Sequence, residues 1–361
     1  MSLITKHIFK EFIALVAGVL AGIIVVYLCV EFLQKADRLI KYHATLLQVS
    51  MYFFYSIPNM ISLSLPMATL IASLLSLGNL SRHNEIIAMR AGGVSLARII
   101  MPMMLGGVLL SALSFLNTEY VIPVYSSRAD YVRNVEIEKK PQRVMFQQHK
   151  LWLRGPDNSI ANIDLVSPNR NEMIGLNIYK LNPDYSVHER IKADSLLWEN
   201  GNWRLKHSRS FTFENDEIRF HDSDNEIFNI VDNPNDLGMI VKDSQEMNFR
   251  ELWDYIKRLK SSGYKAASYE VDLYNKIAFP FSSVLVVMLS IPFSIHKVRS
   301  SGAGKGIAIA VVIAFFYWTL WSVGGSLGRS GMLPPMVAAW FANIIFGTAA
   351  IVVLIRIQKT A

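Results

Sequence analysis

The chain has 361 residues, 52% of them hydrophobic and only 18% charged, with 36 basic against 29 acidic side chains and a formal net charge of +7. So little charge at this length argues against a chain of ordinary soluble domains and for a membrane class. The basic excess is modest and gives no ground for a nucleic-acid partner.

Charge-free stretches run over residues 12–30, 44–81, 99–118, 277–296, 306–328 and 330–355. Each is long enough for the roughly 20 apolar residues that cross a bilayer, so six spans are predicted. The first has too long an apolar core for a cleavable signal peptide and is expected to remain as an anchor. Its Cys29 is the single cysteine, so no intrachain disulfide can form. With the N-terminus inside, Lys6, Lys10, Arg82, Arg90, Arg98, Lys297, Arg299, Lys305, Arg356 and Lys359 fall on the cytoplasmic side. Only Lys35, Arg38, Lys41 and Arg329 fall in the short outer loops. That bias predicts both termini in the cytoplasm and residues 119–276 outside, which in a bacterial inner membrane is the periplasm.

Along the chain, span two contains Pro58 and Pro66. Residues 46–58 are read as an approach segment at the interface and 57–80 as the helix proper, with Ser62, Ser64 and Thr69 available for freed backbone groups. Gly18 with Gly22, Gly324 with Gly328, and Gly106, Gly107, Ser111 and Ser114 form small-residue patterns, read as helix-packing contacts within the chain or with a partner. From about Pro141 the period becomes alternating. Residues 144–146, 151–153, 160–166, 174–181, 190–198, 203–213, 218–220 and 226–231 read as short strands, with turns at Gly155-Pro156-Asp157-Asn158, Asn182-Pro183-Asp184 and Asn200-Gly201-Asn202. Roughly eight to ten antiparallel strands suggest a sandwich or jelly roll. Phe249, Leu252, Ile256 and Leu259 then share a helical face, with Asn248 and Glu251 as a capping box and Gly263 as the stop, read as a packing strut. The fold class expected is an integral membrane α-helical protein of six transmembrane helices with an inserted all-β, jelly-roll-like periplasmic domain. Its division is 1–118 for spans one to three, 119–140 for a helical extension, 141–247 for the β domain, 248–263 for the connecting helix and 264–361 for spans four to six.

Motifs of catalysis are missing. Gly302-Ala303-Gly304-Lys305-Gly306 lacks P-loop spacing, and His149, His188, His207 and His221 lack the paired spacing of metal ligands. There is no nucleophile elbow and no carboxylate pair inside a span. No catalytic residue, metal or cofactor is expected.

Two charged groups remain. Residues 81–93 read as a short helix capped by Ser81 and ended by Gly92 and Gly93, with Ile86, Met89 and the stem of Arg82 on one side, Glu85 in the first turn and Arg90 near the C-terminus. Such a helix suits a groove in a soluble motor, or equally the lipid head groups. At the other end, Lys35, Arg38 and Lys41 recur every three residues beyond span one, and Arg128 and Arg133 follow span three. Placed against the positive-inside tendency, they are candidates for an anion such as a lipid phosphate; Asp37 and Asp130 offer the alternative of ordinary ion pairs.

Three spans, a β domain, three further spans, the segment 81–93, Leu259-Lys260-Ser261-Ser262-Gly263 and Lys276-Ile277-Ala278-Phe279-Pro280 together resemble the lipopolysaccharide export permeases of the LptF/LptG type, and the Leu-Lys-Ser-Ser-Gly segment resembles the G type. The resemblance covers essentially the whole chain. It implies a subunit that pairs with a paralogous permease, is driven by a cytoplasmic ABC ATPase dimer and engages a single-span periplasmic partner in passing lipopolysaccharide outward over β domains. Carried over, Glu85 matches the acidic residue of the helix that contacts the ATPase, with Arg82, Met89 and Arg90 beside it. Arg133 falls where the family places a basic residue near substrate phosphates, and Arg128 lies close by. Span one is the family's gate helix. There Glu31 stands where some members carry lysine, which moves the expected substrate contact to Lys35, Arg38 and Lys41.

A motor is a physical necessity for such a cargo, because each methylene withdrawn from the bilayer costs about 0.8 kcal/mol. Rival readings are a secondary transporter, a membrane-anchored sensor or assembly factor, and a permease for another lipid. A secondary transporter calls for ionisable residues near the bilayer midplane, where this sequence offers only Glu31 near an edge.

Overall fold

A computed structural model describes residues 3–139, 144–147, 150–155, 158–167, 171–214, 217–230, 234, 243–261, 265–296 and 303–360. The chain divides into a helical unit, Met1–Ile137 with Ser244–Trp253 and Ala267–Ala361, and a sheet unit, Glu138–Asp243 with Asp254–Ala266.

In the helical unit, α1 (Leu3–Lys41), α2 (Leu46–Arg82), the short α3 (Glu85–Ala91) and α4 (Leu96–Leu116) follow one another. A π turn over Asn117–Val121 joins α4 to α5 (Ile122–Tyr131), and a second continues over Val132–Ile137. Pro123 explains the first: it has no N–H for the carbonyl four residues back, and the Ile122 amide reaches Asn117 instead. After the inserted sheet come α6 (Phe249–Ser261), which the sheet unit claims from Asp254 on, and then α7 (Ala267–His296), α8 (Ala303–Arg329) and α9 (Pro335–Thr360). Six stretches are long and apolar enough to cross a membrane, as expected: Ile4–Lys41, Leu46–Arg82, Leu96–Ile137, Ala267–Ile291, Ile307–Arg329 and Pro335–Val353.

The core of this unit is α2, which packs against α1, α5, α7 and α8. Of its most apolar window 78% is buried, against 6% for α1. It is one helix from Leu46 onward, which corrects the approach segment expected before Pro58. Thr45 and Gln48 form a reciprocal capping box that starts the helix early, and Asn117 Nδ2 donates to the Pro58 carbonyl at 2.8 Å, tying α2 to the π turn after α4. Thr69 bonds back to Leu65 O at 2.7 Å, while the Ser62 hydroxyl lies 3.4 Å from that of Ser114 and 3.3 Å from that of Thr118.

Small residues set several helix contacts. A Cβ built on Gly106 would fall 2.6 Å from the Phe12 ring, and one on Gly328 would meet Ala338 and lie 2.7 Å from Val271. Gly18 and Gly22 face nothing within 4 Å. Spans four to six are further joined by hydrogen bonds: Tyr317 OH donates to Asn343 Oδ1 at 2.8 Å, and Asn343 Nδ2 to the Ala278 carbonyl at 2.6 Å.

In the sheet unit, seven strands pair antiparallel in chain order: β1 (Val144–Gln147), β2 (Lys150–Arg154), β3 (Ser159–Val166), β4 (Glu172–Leu181), β5 (Val187–Glu199), β6 (Asn202–Glu214) and β7 (Glu217–Ser223). The eighth expected strand, over 226–231, is among the described residues only a single bridge, Ile227 to Arg204. That segment instead returns over β6, where Phe228 N donates to Trp203 O at 2.9 Å, and reaches the end of β2, where a Cβ on Gly155 would lie 3.5 Å from Ile230. It closes one hydrophobic core around Leu153, Ile163, Leu176, Ile178 and Trp203.

Inside β4, β5 and β6 the alternation changes phase. Buried residues fall at 173, 176 and 178, at 191, 193 and 196, and at 203, 205 and 208. The break coincides with positive φ at Gly175 (+66°) and His207 (+48°), and it lets both halves of long strands face one core. A side chain at Gly175 would also strike Asp164. The hairpin predicted at Asn200-Gly201 places Trp198 opposite Trp203, with rings 5.2 Å apart. Pro156 and Asp157 of another predicted turn, His149 and the Gly263 stop lie outside the described residues.

Candidate functional site

At the end of α1 the sequence-predicted cations part company. Lys35 Nζ hydrogen-bonds to both Glu31 Oε1 and Tyr52 OH and sits 4.5 Å from the centre of the Tyr52 ring. Tyr52 is buried, so Lys35 and Glu31 tie the end of α1 to the first turns of α2. Arg38 and Lys41 are exposed, with the Lys41 ammonium 5.9 Å from the Tyr42 ring. On the other flank of α2, Arg128 is exposed over Tyr55, and Arg133 pairs with Asp130 at 2.5 Å, the ion pair anticipated as the alternative to an anion contact. Both sets of cations stand on a common core in which Leu39 and Tyr42 from α1 meet Tyr52 and Phe53 from α2 and Ala129 and Val132 from α5 and the turn after it. Gln48 adds a bond from its amide to Glu136 O at 3.2 Å. The structure thus gathers the two basic groups around the start of α2.

At the opposite end of the bundle, α2 runs through Ser81 and Arg82, so Ser81 is inside a helix and is not the cap expected of it. The break falls at His83 and Asn84, the latter left-handed at φ 59° with no side-chain cap bond. Asparagine tolerates that conformation, which lets α3 leave at a new angle. Ile86 is buried and Met89 packs against the bundle core beside Leu77, Leu80 and Ile99. Outward go Arg82, Glu85, Ile87 and Arg90, with Ile87 48% exposed. The apolar side therefore holds α3 to its own chain, and a charged surface with one isoleucine is left for a neighbour.

A third polar group escaped the sequence reading. Lys276, in the first turns of α7, is 7% exposed and surrounded by the carboxylates of Glu119, Asp272 and Glu251. Each carboxylate has further work: Glu119 accepts from the Phe249 amide at 2.8 Å, Asp272 from Ser244 Oγ at 2.8 Å and Arg329 Nη2 at 2.9 Å. Glu251 accepts from the Asn248 amide at 3.3 Å and donates its own amide to Asn248 Oδ1 at 2.8 Å, the capping box predicted there. Lys276 and Glu119 immediately border charge-free runs, one on each side of the inserted domain. Their charge ended the count of apolar residues, and their pairing was invisible at that distance in sequence.

Among the described residues no three of His, Cys, Asp or Glu are grouped to hold a metal. A sequence model of the lipopolysaccharide export system permease LptF/LptG family matches residues 6–356. The chain belongs to that family. Relatives include lipopolysaccharide export system permease protein LptG of Escherichia coli K12, 24% identical over 314 residues and 86% of each chain. LptG of Haemophilus influenzae is 20% identical over 343 residues, 94% of this chain and 95% of its own. LptF of Escherichia coli K12 is 21% identical over 302 residues, 82% of this chain and 79% of its own. The similarity thus extends to both permease types, and the G-type resemblance noted in the sequence is consistent with the two LptG matches. As a family permease with six membrane-crossing stretches, the chain is a multi-pass membrane transporter subunit.

Proposed function

We propose that the chain is one permease of an ABC exporter that extracts lipopolysaccharide from the bacterial inner membrane and passes it to a periplasmic bridge. A separate ATPase dimer supplies the work, a paralogous permease completes the membrane path, and a single-span periplasmic partner receives the cargo. The family match over residues 6–356 carries this reading. In it both termini are cytoplasmic and the sheet unit is periplasmic.

Mechanically, α3 takes force from the ATPase. Its exposed Glu85, with Arg82 and Arg90 beside it, makes the contact, while Met89 and Ile86 underneath pass the displacement into the bundle. At the far end Arg38, Lys41 and Arg128 hold lipid phosphates, joined by Lys35 and Arg133 as they exchange Glu31 and Asp130 for the substrate. The sparse burial of α1, with Gly18 and Gly22 open, suits a gate helix that meets the paralogous subunit across a close-packed seam. The sheet unit then carries the acyl chains onward.

The test is co-purification and turnover. Tagged protein is expected to bring down a cytoplasmic ATPase whose ATP hydrolysis rises with lipopolysaccharide, and Glu85→Ala to cut that stimulated rate about tenfold or more. An isolated chain, or an unchanged rate, would sink the proposal.

A further inference from the structure

The half of the sheet before the phase change carries an unusual group on the face turned away from its core. Leu151 and Leu153, Ala161 and Ile163, and Leu176 and Ile178 point into that core. Their alternates Trp152, Asn162, Asn177 and Tyr179 therefore lie on the opposite face, as does Arg190 between core positions on β5. Trp152 stands opposite Asn162, Asn162 opposite Asn177, and Tyr179 opposite Arg190. The Trp152 and Tyr179 rings stack with centres 6.3 Å apart and planes at 22°. The Arg190 guanidinium lies 5.8 Å from the Tyr179 ring and donates through Nη2 to Asn177 Oδ1 at 2.8 Å.

Two donors in this group are unanswered. Asn162 is only 4% exposed, and its Nδ2, like Arg190 Nε, is shielded and has no acceptor among the described residues. Leaving a shielded N–H unpaired is unfavourable, and leucine would fill the same strand position without that cost. Fold stability therefore gives no reason for an amide at 162. Recognition does: aromatic rings beside convergent amide and guanidinium donors suit a sugar, whose C–H face rests on a ring while its oxygens accept from the donors. The guanidinium and the exposed Lys192, which stands opposite Asn177, favour acidic substituents.

We propose that this face of the sheet binds an acidic saccharide, packed on Trp152 and Tyr179 and hydrogen-bonded by Asn162 and Arg190. It rests on the permease reading only for the origin of the sugar, the polar part of a glycolipid cargo.

The test uses the full chain in lipid nanodiscs and saturation-transfer NMR, with two probes: the delipidated, acidic oligosaccharide of a lipopolysaccharide, and neutral maltohexaose. Transfer to the acidic sugar is expected, with weak or no transfer to maltohexaose. Asn162→Leu is expected to weaken binding about tenfold, the equivalent of one hydrogen bond, while leaving the melting temperature unchanged or higher. Trp152→Ala should weaken it at least as much. No transfer to the acidic sugar, equal transfer to maltohexaose, or full affinity in Asn162→Leu would overturn the inference. ATP turnover in the reconstituted complex reports on the permease reading separately, so either failure is recognisable by itself.

Discussion

Glu119 and Phe249 stand 130 residues apart in the chain, and the carboxylate of the first accepts the backbone amide of the second at 2.8 Å. The bond fastens the first turn of α6 to the π turn of span three. Glu119→Ala would orphan that amide and remove one neutralising charge from Lys276, lowering stability by about 1–3 kcal/mol. Glu119→Gln keeps an acceptor and loses only the charge. Lys276→Met, which leaves three carboxylates without their buried cation, should cost about 3 kcal/mol. Thermal melting of the single and double variants in detergent checks this: the two losses must fall well short of adding.

Gly328 and Gly18 predict opposite outcomes for one substitution. At Gly328 a methyl group strikes Ala338 and approaches Val271, so Gly328→Ala should destabilise the chain itself by about 1–3 kcal/mol. At Gly18 there is open space, and Gly18→Leu should leave the melting of the separate chain alone while weakening recovery of the second permease. Equal melting of both variants and wild type would contradict the packing described.

Lys35 is held by Glu31 and Tyr52, so a phosphate must compete for it. With Glu31→Gln the competitor is neutral. A photo-crosslinker at exposed Ile40 should then capture lipopolysaccharide about twofold more, in keeping with the roughly 0.5 kcal/mol of a pair four residues apart on one helix. Capture that falls instead would mean Glu31 helps to hold the substrate.

In the sheet unit Arg209 grips Asp222 through two hydrogen bonds, at 2.5 and 2.9 Å, and holds its carboxyl below the ordinary 3.8. A carboxyl lowered in the folded state stabilises above its unfolded value and ceases to as pH falls through its folded one. Asp222→Asn should therefore lower the melting temperature slightly at pH 7, and the difference should shrink as pH falls below 3.8. Both groups are fully exposed, so the effect is small and should shrink further in high salt.

Much of this architecture was legible because two signals in the sequence are strong. Charges stop where lipid begins, which marked all six spans, and alternation marked β1 to β7 to within a few residues. What escaped depended on contacts between distant segments. Pro58 suggested a break, yet Asn117 and the Thr45–Gln48 box carry the helix through it. Ser81 looked like a cap, but the chain turns where Asn84 takes a left-handed conformation. Residues 226–231 have strand composition, yet Phe228 and Ile230 spend it on covering the core at the end of β2. The basic residues read from the sequence stand around the start of α2; that Lys35 and Arg133 hold carboxylates of their own was visible only as a possibility of spacing. Lys276 was singled out only within a family motif, and two of its three carboxylate neighbours, Glu119 and Glu251, lie too far away in sequence to form a pattern with it.

Helix α2 is the most enclosed of the six spans, and it is made second. Roughly 185 residues separate Arg82 from Ala267, where its neighbour α7 begins. At about 5–20 residues per second, synthesis leaves α2 in the membrane for roughly 10–40 s before that neighbour exists. Through this interval the side of α2 that will meet α7 lacks that cover. Thr69 and Ser73 bond to carbonyls of their own helix, at 2.7 Å each, and so need no partner to be comfortable there. The span that will hold the bundle together is thus equipped to wait for it.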